Sequence, residues 1–174
     1  MKNEKVKKVS LFGMFSALAM AISFLESLIP PILPVPAFKP GLSNIVTMFC
    51  VNSLGGVYGL AVTVFKAFFA LITRGVTAFF MSLTGGLFSL FIMVIIFKFG
   101  KKTFGYIGIG VLCAVFHNVG QLIVAVVYLG KEIMALSPVL LLTGIVTGIV
   151  TGIVFKYTVP VLDKLYKNIF RGEV

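Results

Sequence analysis

The polar side chains that stand inside long apolar segments are the residues of this sequence best suited to chemistry. Lys66, His117, Asn118 and Gln121 each occupy such a segment. His117 and Gln121 are four residues apart, so a helix places them on one face with Asn118 beside them. An imidazole and two amides directed at one volume suit a heterocyclic or polar ligand. The alternative is that the three side chains form hydrogen bonds between the helices of a bundle.

Charged side chains in this setting need a partner or a cavity. A charge at the centre of a membrane helix costs about 2.5–3.5 kcal/mol on insertion scales, so such residues are rarely placed there without a role. Lys66 lies midway in its apolar segment, and Glu26 lies near the end of the first one. We expect Lys66 to be the counter-charge for an anionic ligand group, or else a partner of Glu26 or a side chain that extends to the membrane surface.

The acidic residues do not suggest a catalytic centre. The chain has five, and they are isolated from one another, whereas two-metal and paired-carboxylate chemistry needs acids close together. No GxSxG, Walker A or HExxH pattern occurs. Cys50 and Cys113 lie in apolar runs without the spacing of a disulfide framework or a zinc site. The sequence therefore predicts a protein that is not an enzyme, holds no metal and has no covalently bound cofactor.

The composition predicts an all-α membrane protein. Of 174 residues, 59% are hydrophobic and 11% charged, with a mean hydropathy of +1.13. A soluble domain of this size cannot hide so much apolar surface. Each membrane helix needs roughly 20 apolar residues, so a single integral membrane domain covering 1–174 is expected. The apolar segments that we interpret as spans are 9–29, 42–54, 56–73, 76–97, 104–129 and 136–160.

The placement of positive charge favours six spans over five. Eleven of the fifteen Lys and Arg residues form three clusters that flank apolar segments. If 42–73 forms two spans with a turn at Gly55, all three clusters fall inside, 11 positive charges against 3 outside. One span over 42–73 would give 6 inside and 8 outside. We therefore predict a multi-pass protein of the cytoplasmic membrane with both termini cytoplasmic, and no nucleic-acid partner.

A proline-rich segment follows the first span. Five prolines between residues 29 and 41 exclude a regular helix, although the segment is largely apolar. Non-helical backbone beside a membrane has to pack on protein or line a cavity. The segment is thus either a rigid connector or a lid over a substrate cavity.

Small residues recur every four positions in two of the spans. Gly144, Gly148 and Gly152 share one face of the last span. This spacing allows close helix approach, and we expect it to serve packing inside the bundle, with a partner interface as the alternative. The first span carries a similar ridge of Gly13, Ala17 and Ala21.

Several motifs in a fixed order resemble one family of membrane proteins. They are Glu26-Ser-Leu-Ile-Pro30, Pro34-Val-Pro36, Lys39-Pro-Gly41-Leu-Ser-Asn44, Ser82-Leu-Thr-Gly-Gly86 with Ser89, and Ala114-Val-Phe-His117-Asn118-Val-Gly120-Gln121. Together they are similar to the Gx transporter family, which is often labelled heptaprenyl diphosphate synthase component I and is similar to the substrate-binding S components of energy-coupling-factor (ECF) vitamin transporters. Pro40 stands where an apolar residue is expected, and Lys66 where Arg is expected, so the charge is kept but the bidentate fork is lost.

The resemblance implies a six-transmembrane-helix bundle that binds its substrate near the outer face, between helices and under loops. Some members are associated with Rnf electron transport or extracellular flavin transfer, which implies a flavin (riboflavin, FMN or FAD) as the transported ligand. It also implies that Ala17 and Ala21 contact an ECF-type coupling subunit. The residues that we expect to bind the substrate, with aromatic rings stacking on a flavin and basic groups meeting a phosphate, are His117, Asn118, Gln121, Lys66, Glu26, Asn44, Lys39, Arg74, Phe38, Phe65 and Phe116.

Three functional hypotheses follow. The first is a membrane transporter or substrate-binding subunit for a small vitamin-like molecule, with a flavin as the expected substrate. The second is a membrane accessory subunit of a prenyl (heptaprenyl) diphosphate synthase. The third is a structural membrane subunit of a larger redox complex.

Overall fold

The chain folds entirely into helices in the parts that the computed structural model describes, residues 2–28, 41–99 and 101–171. A 3-10 helix, Lys131–Leu136, precedes the last α-helix. The α-helices are α1 (Lys2–Leu28), α2 (Asn44–Leu54), α3 (Gly56–Arg74), α4 (Val76–Phe99), α5 (Lys101–Leu129) and α6 (Ser137–Arg171). The proline-rich segment, with Phe38 and Lys39, lies outside the described residues apart from Gly41.

Five of these helices are long and apolar enough to cross a membrane; the exception is α2. Its 11 residues rise about 16 Å, against a hydrocarbon core of about 30 Å. The prediction of six spans is therefore not confirmed in the described residues: the predicted span 42–54 is the short apolar helix Asn44–Leu54. At the other end of the chain, α6 continues past residue 160, where the sequence predicted the end of the last span.

The chain reverses direction at Gly55, as the sequence predicted. Gly55 has a φ of +99°, a left-handed backbone that favours glycine. Val51 and Gly59 pack together four residues on either side of it, so closely that a Cβ on Gly59 would lie 2.3 Å from the Val51 side chain. Lys66 bonds Asn44, each eleven residues from Gly55. Helices α2 and α3 are therefore an antiparallel pair joined by one residue.

Contacts along the other helices show that neighbouring elements alternate in direction. Phe12 meets Tyr58 and Phe24 meets Phe69, so α1 runs parallel to α3. The contacts of α3 with α4, of α4 with α5 and of α5 with α6 join the start of one helix to the end of the other, so these three pairs are antiparallel. This order brings the first residues of α1, the Gly55 turn, the end of α4 and the end of α6 to one end of the bundle. The three basic clusters of the sequence therefore share that end.

The glycines of α6 pack against α5, which confirms the expectation of packing inside the bundle. A Cβ on Gly148 would lie 2.5 Å from the Cα of Val111, and one on Gly152 would lie 2.6 Å from the Cα of Ile107. A Cβ on Gly110 would meet the backbone of α6 in the same way. The two backbones approach closely only because these positions lack side chains.

The outside of the bundle is apolar. Large side chains such as Val57, Ile72, Phe91 and Val127 are among the many that are exposed. A water-facing protein rarely exposes so much continuous apolar surface, whereas lipid accepts it. The Gly13, Ala17 and Ala21 ridge of α1 is also exposed, in contrast to the buried glycine face of α6.

Candidate functional site

A polar pocket lies between α1, α2, α3, α4 and α5, near the bundle end opposite the basic clusters. Lys66 and Gln121 are each 2% exposed, and Glu26 and His117 each 3%. Polar side chains buried this deeply are unusual in a bundle whose exterior is apolar. The residues that line the pocket are Ser23, Glu26, Gly41, Ser43, Lys66, Arg74, Ala78, Ser82, His117 and Gln121.

Glu26 caps the start of α2 from a different helix. Its carboxylate accepts the backbone N–H groups of Leu42 and, at 3.3 Å, of Ser43. The next three N–H groups, from Asn44 onward, bond the carbonyls of residues 41 to 43. The side chain of Ser43, the residue before α2, makes no capping hydrogen bond. The carboxylate thus lies at the positive end of the α2 dipole and satisfies donors that helix starts leave free.

Lys66 is bound to the same helix start. Its Nζ donates to Asn44 Oδ1 at 2.7 Å and to Ser43 Oγ at 3.4 Å. The Asn44 amide nitrogen, Nδ2, is buried without a hydrogen-bond partner among the described residues. The ammonium therefore lies beside one amide donor that the described part of the fold does not use.

His117 and Gln121 form the opposite wall, on α5. Gln121 Nε2 lies 2.8 Å from His117 Nε2, so the amide donates and the ring nitrogen accepts. The Gln121 oxygen, Oε1, is buried and has no hydrogen-bond partner among the residues that the structure describes. Like Asn44 Nδ2, it leaves hydrogen-bonding capacity at the pocket for a ligand.

Two glycines make room for the His117 ring. A Cβ on Gly85 of α4 would lie 2.8 Å from the ring carbon Cε1, and one on Gly41 would lie 3.1 Å from Cδ2. Gly41 also has a φ of +80°, so both its backbone and its surroundings favour glycine. Gly86, next to Gly85, receives the Thr63 side chain from α3. The Gly-Gly pair of α4 therefore positions α3 and α5 around the pocket.

Six of the predicted site residues lie at the pocket or beside it. Lys66, Glu26, Arg74, His117 and Gln121 line the pocket, and Asn44 adjoins it through Lys66 and Gly41.

Asn118 is directed elsewhere. Its Nδ2 donates to the Leu140 carbonyl of α6 at 2.7 Å, so this side chain ties α5 to α6.

Phe65 is exposed and packs on Phe12 with ring centroids 5.9 Å apart. Neither Phe65 nor Phe116 belongs to the lining, which contains no Phe or Tyr among the described residues. Stacking of a flavin on these rings has no support in this arrangement. Phe38 and Lys39 lie outside the described residues.

Sequence reasoning did not select five residues that line the pocket: Ser23, Gly41, Ser43, Ala78 and Ser82. A signal for Ser23 was available, since it precedes Glu26 by three residues and so shares its helix face. Ser43 and Gly41 depend on the turn that begins α2, which the sequence alone does not define.

The cavity enclosed by these walls is small. The space open to water inside it is about 10 Å³, enough for about one water molecule. A ring-sized ligand therefore needs some of the lining to move apart. The described residues contain no group of three or more His, Cys, Asp or Glu side chains arranged to hold a metal ion.

The fold and this pocket define a class of protein: a helical bundle with five helices long and apolar enough to cross a membrane and a buried, charged polar cluster in its interior. Within that class the chain belongs to the heptaprenyl diphosphate synthase component I family, whose model matches residues 15–158. The match covers most of the chain and every described residue of the pocket. Neither the curated proteins nor the solved structures include a match to the chain.

Proposed function

We propose that this protein binds a small polar molecule in the buried pocket and acts as a membrane transporter or as the substrate-binding subunit of one. The observation that carries the proposal is the cluster of Glu26, Lys66, His117 and Gln121, each at least 97% buried within an apolar bundle. Burying such groups is costly unless they serve a partner, and Asn44 Nδ2 and Gln121 Oε1 are buried at the pocket without a hydrogen-bond partner among the described residues.

The membrane arrangement belongs to the same proposal. We take α1, α3, α4, α5 and α6 as spans, and the segment that ends in α2 as the return between α1 and α3. The three basic clusters at one end of the bundle support a cytoplasmic location for that end. The pocket then lies toward the outer face of the cytoplasmic membrane.

A flavin is the first ligand to test. The ring nitrogens and carbonyls of an isoalloxazine match the amides and imidazole of the pocket. The lack of aromatic lining among the described residues does not favour it, and the family description does not mention it. Participation of an ECF-type coupling subunit or an Rnf-type system rests on the motif resemblance.

Titration of the detergent-purified protein with riboflavin, FMN and FAD tests this function. Lys66→Met and Gln121→Leu should each weaken binding by on the order of tenfold or more, because each removes a buried polar partner worth about 1.5–3 kcal/mol. Asn118→Leu is the matched control on the same helix: it should lower the unfolding temperature and leave the Kd unchanged. A well-folded protein that binds none of the three flavins would remove flavin as the ligand.

The family description favours a second function, that of a membrane component of a prenyl diphosphate synthase. In this case the pocket would bind the diphosphate group, and the apolar exterior of the bundle would contact the prenyl chain. Among the described residues the pocket lining has one acidic side chain, Glu26, and in this second function the partner would carry out the prenyl transfer. Co-purification with a prenyl diphosphate synthase, together with a gain in that enzyme's activity, would establish this function. The absence of both would reject it.

A further inference from the structure

We propose that the pocket is an anion-binding site and that Glu26 is its built-in competitor. In this proposal the Glu26 carboxylate takes the place at the start of α2 that a phosphate or carboxylate group of the ligand occupies when it binds. The inference deepens the proposed function, since both require a ligand in this pocket, and it concerns the chemical class of that ligand.

The first step of the argument is the set of donors around the Glu26 carboxylate. The N–H groups of Leu42 and Ser43 both point at it, from the N-terminal end of an 11-residue helix. Lys66 supplies an ammonium to the same turn, and Arg74 adds a guanidinium to the lining. Backbone donors at a helix start together with Lys and Arg form a common phosphate and carboxylate site.

The second step is an unused donor at the same place. Asn44 is 5% exposed, and its Nδ2 lies beside Gly41 without a hydrogen-bond partner among the described residues. Its Oδ1 accepts from Lys66, which fixes the direction of the amide and turns Nδ2 away from the ammonium. A carboxylate has two oxygens, and those of Glu26 accept from Leu42 and Ser43. A phosphate offers three or more oxygens and can use Nδ2 as well.

The third step is the balance of charge. Among the described residues the lining contains two cations, Lys66 and Arg74, and one anion, Glu26, which leaves an excess of one positive charge. An anionic ligand neutralises this charge, whereas a neutral ligand leaves it uncompensated beside the buried Lys66. Because Glu26 and the ligand are like charges that use the same donors, each weakens the binding of the other.

The test uses the detergent-purified full chain, with inorganic pyrophosphate as the probe and thermal unfolding as the readout, against sodium chloride at equal ionic strength. Pyrophosphate should raise the unfolding temperature of the wild-type protein. Glu26→Gln keeps the shape of the side chain and one acceptor oxygen but removes the charge. It should lower the apparent Kd for pyrophosphate by on the order of tenfold.

Two further variants make the result specific. Glu132→Gln removes one negative charge from an exposed position in the 3-10 helix, and it should leave the pyrophosphate response unchanged. Arg74→Gln, at the end of α3, should abolish most of the response without preventing folding. A Glu26→Gln protein that is folded but responds no more strongly than wild type would overturn the proposal. The same holds if wild type and all variants ignore pyrophosphate.

Flavin titration of the same proteins separates this inference from the proposed function. FMN should bind more tightly to Glu26→Gln than to wild type, while the Kd of the neutral riboflavin should change by less. If pyrophosphate behaves as expected and no flavin binds, the anion site stands and the flavin ligand fails. If riboflavin and FMN bind equally and Glu26→Gln affects neither, the ligand site stands and the anion site fails.

Discussion

At the scale of single residues, the pocket depends on positions without side chains as much as on polar ones. The His117 ring lies against Gly85, and Lys66 lies two helical turns from Arg74 with the small residue Ala70 between them. The polar groups converge because the helices on either side leave them space. Loss of that space should therefore disturb the pocket even when every polar side chain is kept.

Gly85→Ala tests this point. The added methyl group would lie within 3.0 Å of the His117 ring and of the His117 carbonyl oxygen, closer than real contacts allow. We expect a loss of about 1–3 kcal/mol in the free energy of unfolding, measured by thermal or denaturant unfolding in detergent. The matched control is Gly13→Ala on α1, where nothing lies within 4 Å of the new methyl group. Equal stability of the two variants would contradict the close seating of His117.

At the scale of elements, close backbone approach makes a large part of the contact between α5 and α6, beside side-chain contacts such as Asn118 with Leu140 and Tyr106 with Phe155. Gly110 on α5 and Gly148 and Gly152 on α6 bring the two helices together. The threonines of α6 do not bridge the helices in this contact: Thr147 and Thr151 bond carbonyls of their own helix. The hydrophobic effect is weak between helices in lipid, so van der Waals contact between the two closely spaced backbones has to stabilise this pair.

Gly148→Ala should break this contact. Its methyl group would lie 2.5 Å from the Cα of Val111, and a backbone atom cannot move aside as a flexible side chain does. We expect a destabilisation of about 1–3 kcal/mol, measured as a fall in unfolding temperature in detergent. Gly108→Ala on α5 is the control, because its methyl group meets only the Phe104 Cβ at an ordinary 3.5 Å. A Gly148→Ala protein as stable as this control would show that the two helices separate more easily than the structure indicates.

At the scale of the whole molecule, the alternating directions of the helices place the three basic clusters at one end of the bundle and the pocket near the other end. Lys5 and Lys98 belong to the end with the basic clusters, and Lys131 belongs to the end near the pocket. All three side chains are exposed, whereas the native Cys50 and Cys113 are buried. A cysteine introduced at any of these three positions therefore shows on which side of the membrane that position lies. The buried native cysteines should add little labelling of their own.

Intact cells expressing Lys5→Cys, Lys98→Cys or Lys131→Cys should differ in their reaction with a membrane-impermeant maleimide. Only Lys131→Cys should be labelled before the membrane is permeabilised, and all three should be labelled afterwards. The physical reason is the positive-inside rule applied to the shared end of the bundle. Labelling of Lys98→Cys but not Lys5→Cys in intact cells would contradict the alternating directions of helices α1 to α6.

Much of the architecture could be predicted because it depends on composition and on local backbone chemistry. Apolar length predicted helices in lipid, and Gly55 marked the reversal between α2 and α3. The period of four in α6 predicted a packing face. The bounds 42–54 already predicted a short helix, but they could not show whether it crosses the membrane, since an apolar run is expected there in either case. Where that run begins as a helix depends on its contacts with Glu26 and Lys66.

By itself, the sequence determined the class of protein, the alternation of its apolar segments and the identity of most polar residues near the pocket. Tertiary structure alone decided which of them face it. His117 and Asn118 are adjacent in sequence, yet each helical residue is turned about 100° from the last, so Asn118 meets α6 while His117 meets the pocket. Likewise, Glu26 reaches Ser43 across 17 residues of chain. Such a contact is fixed only when the helices that carry its two partners are packed together.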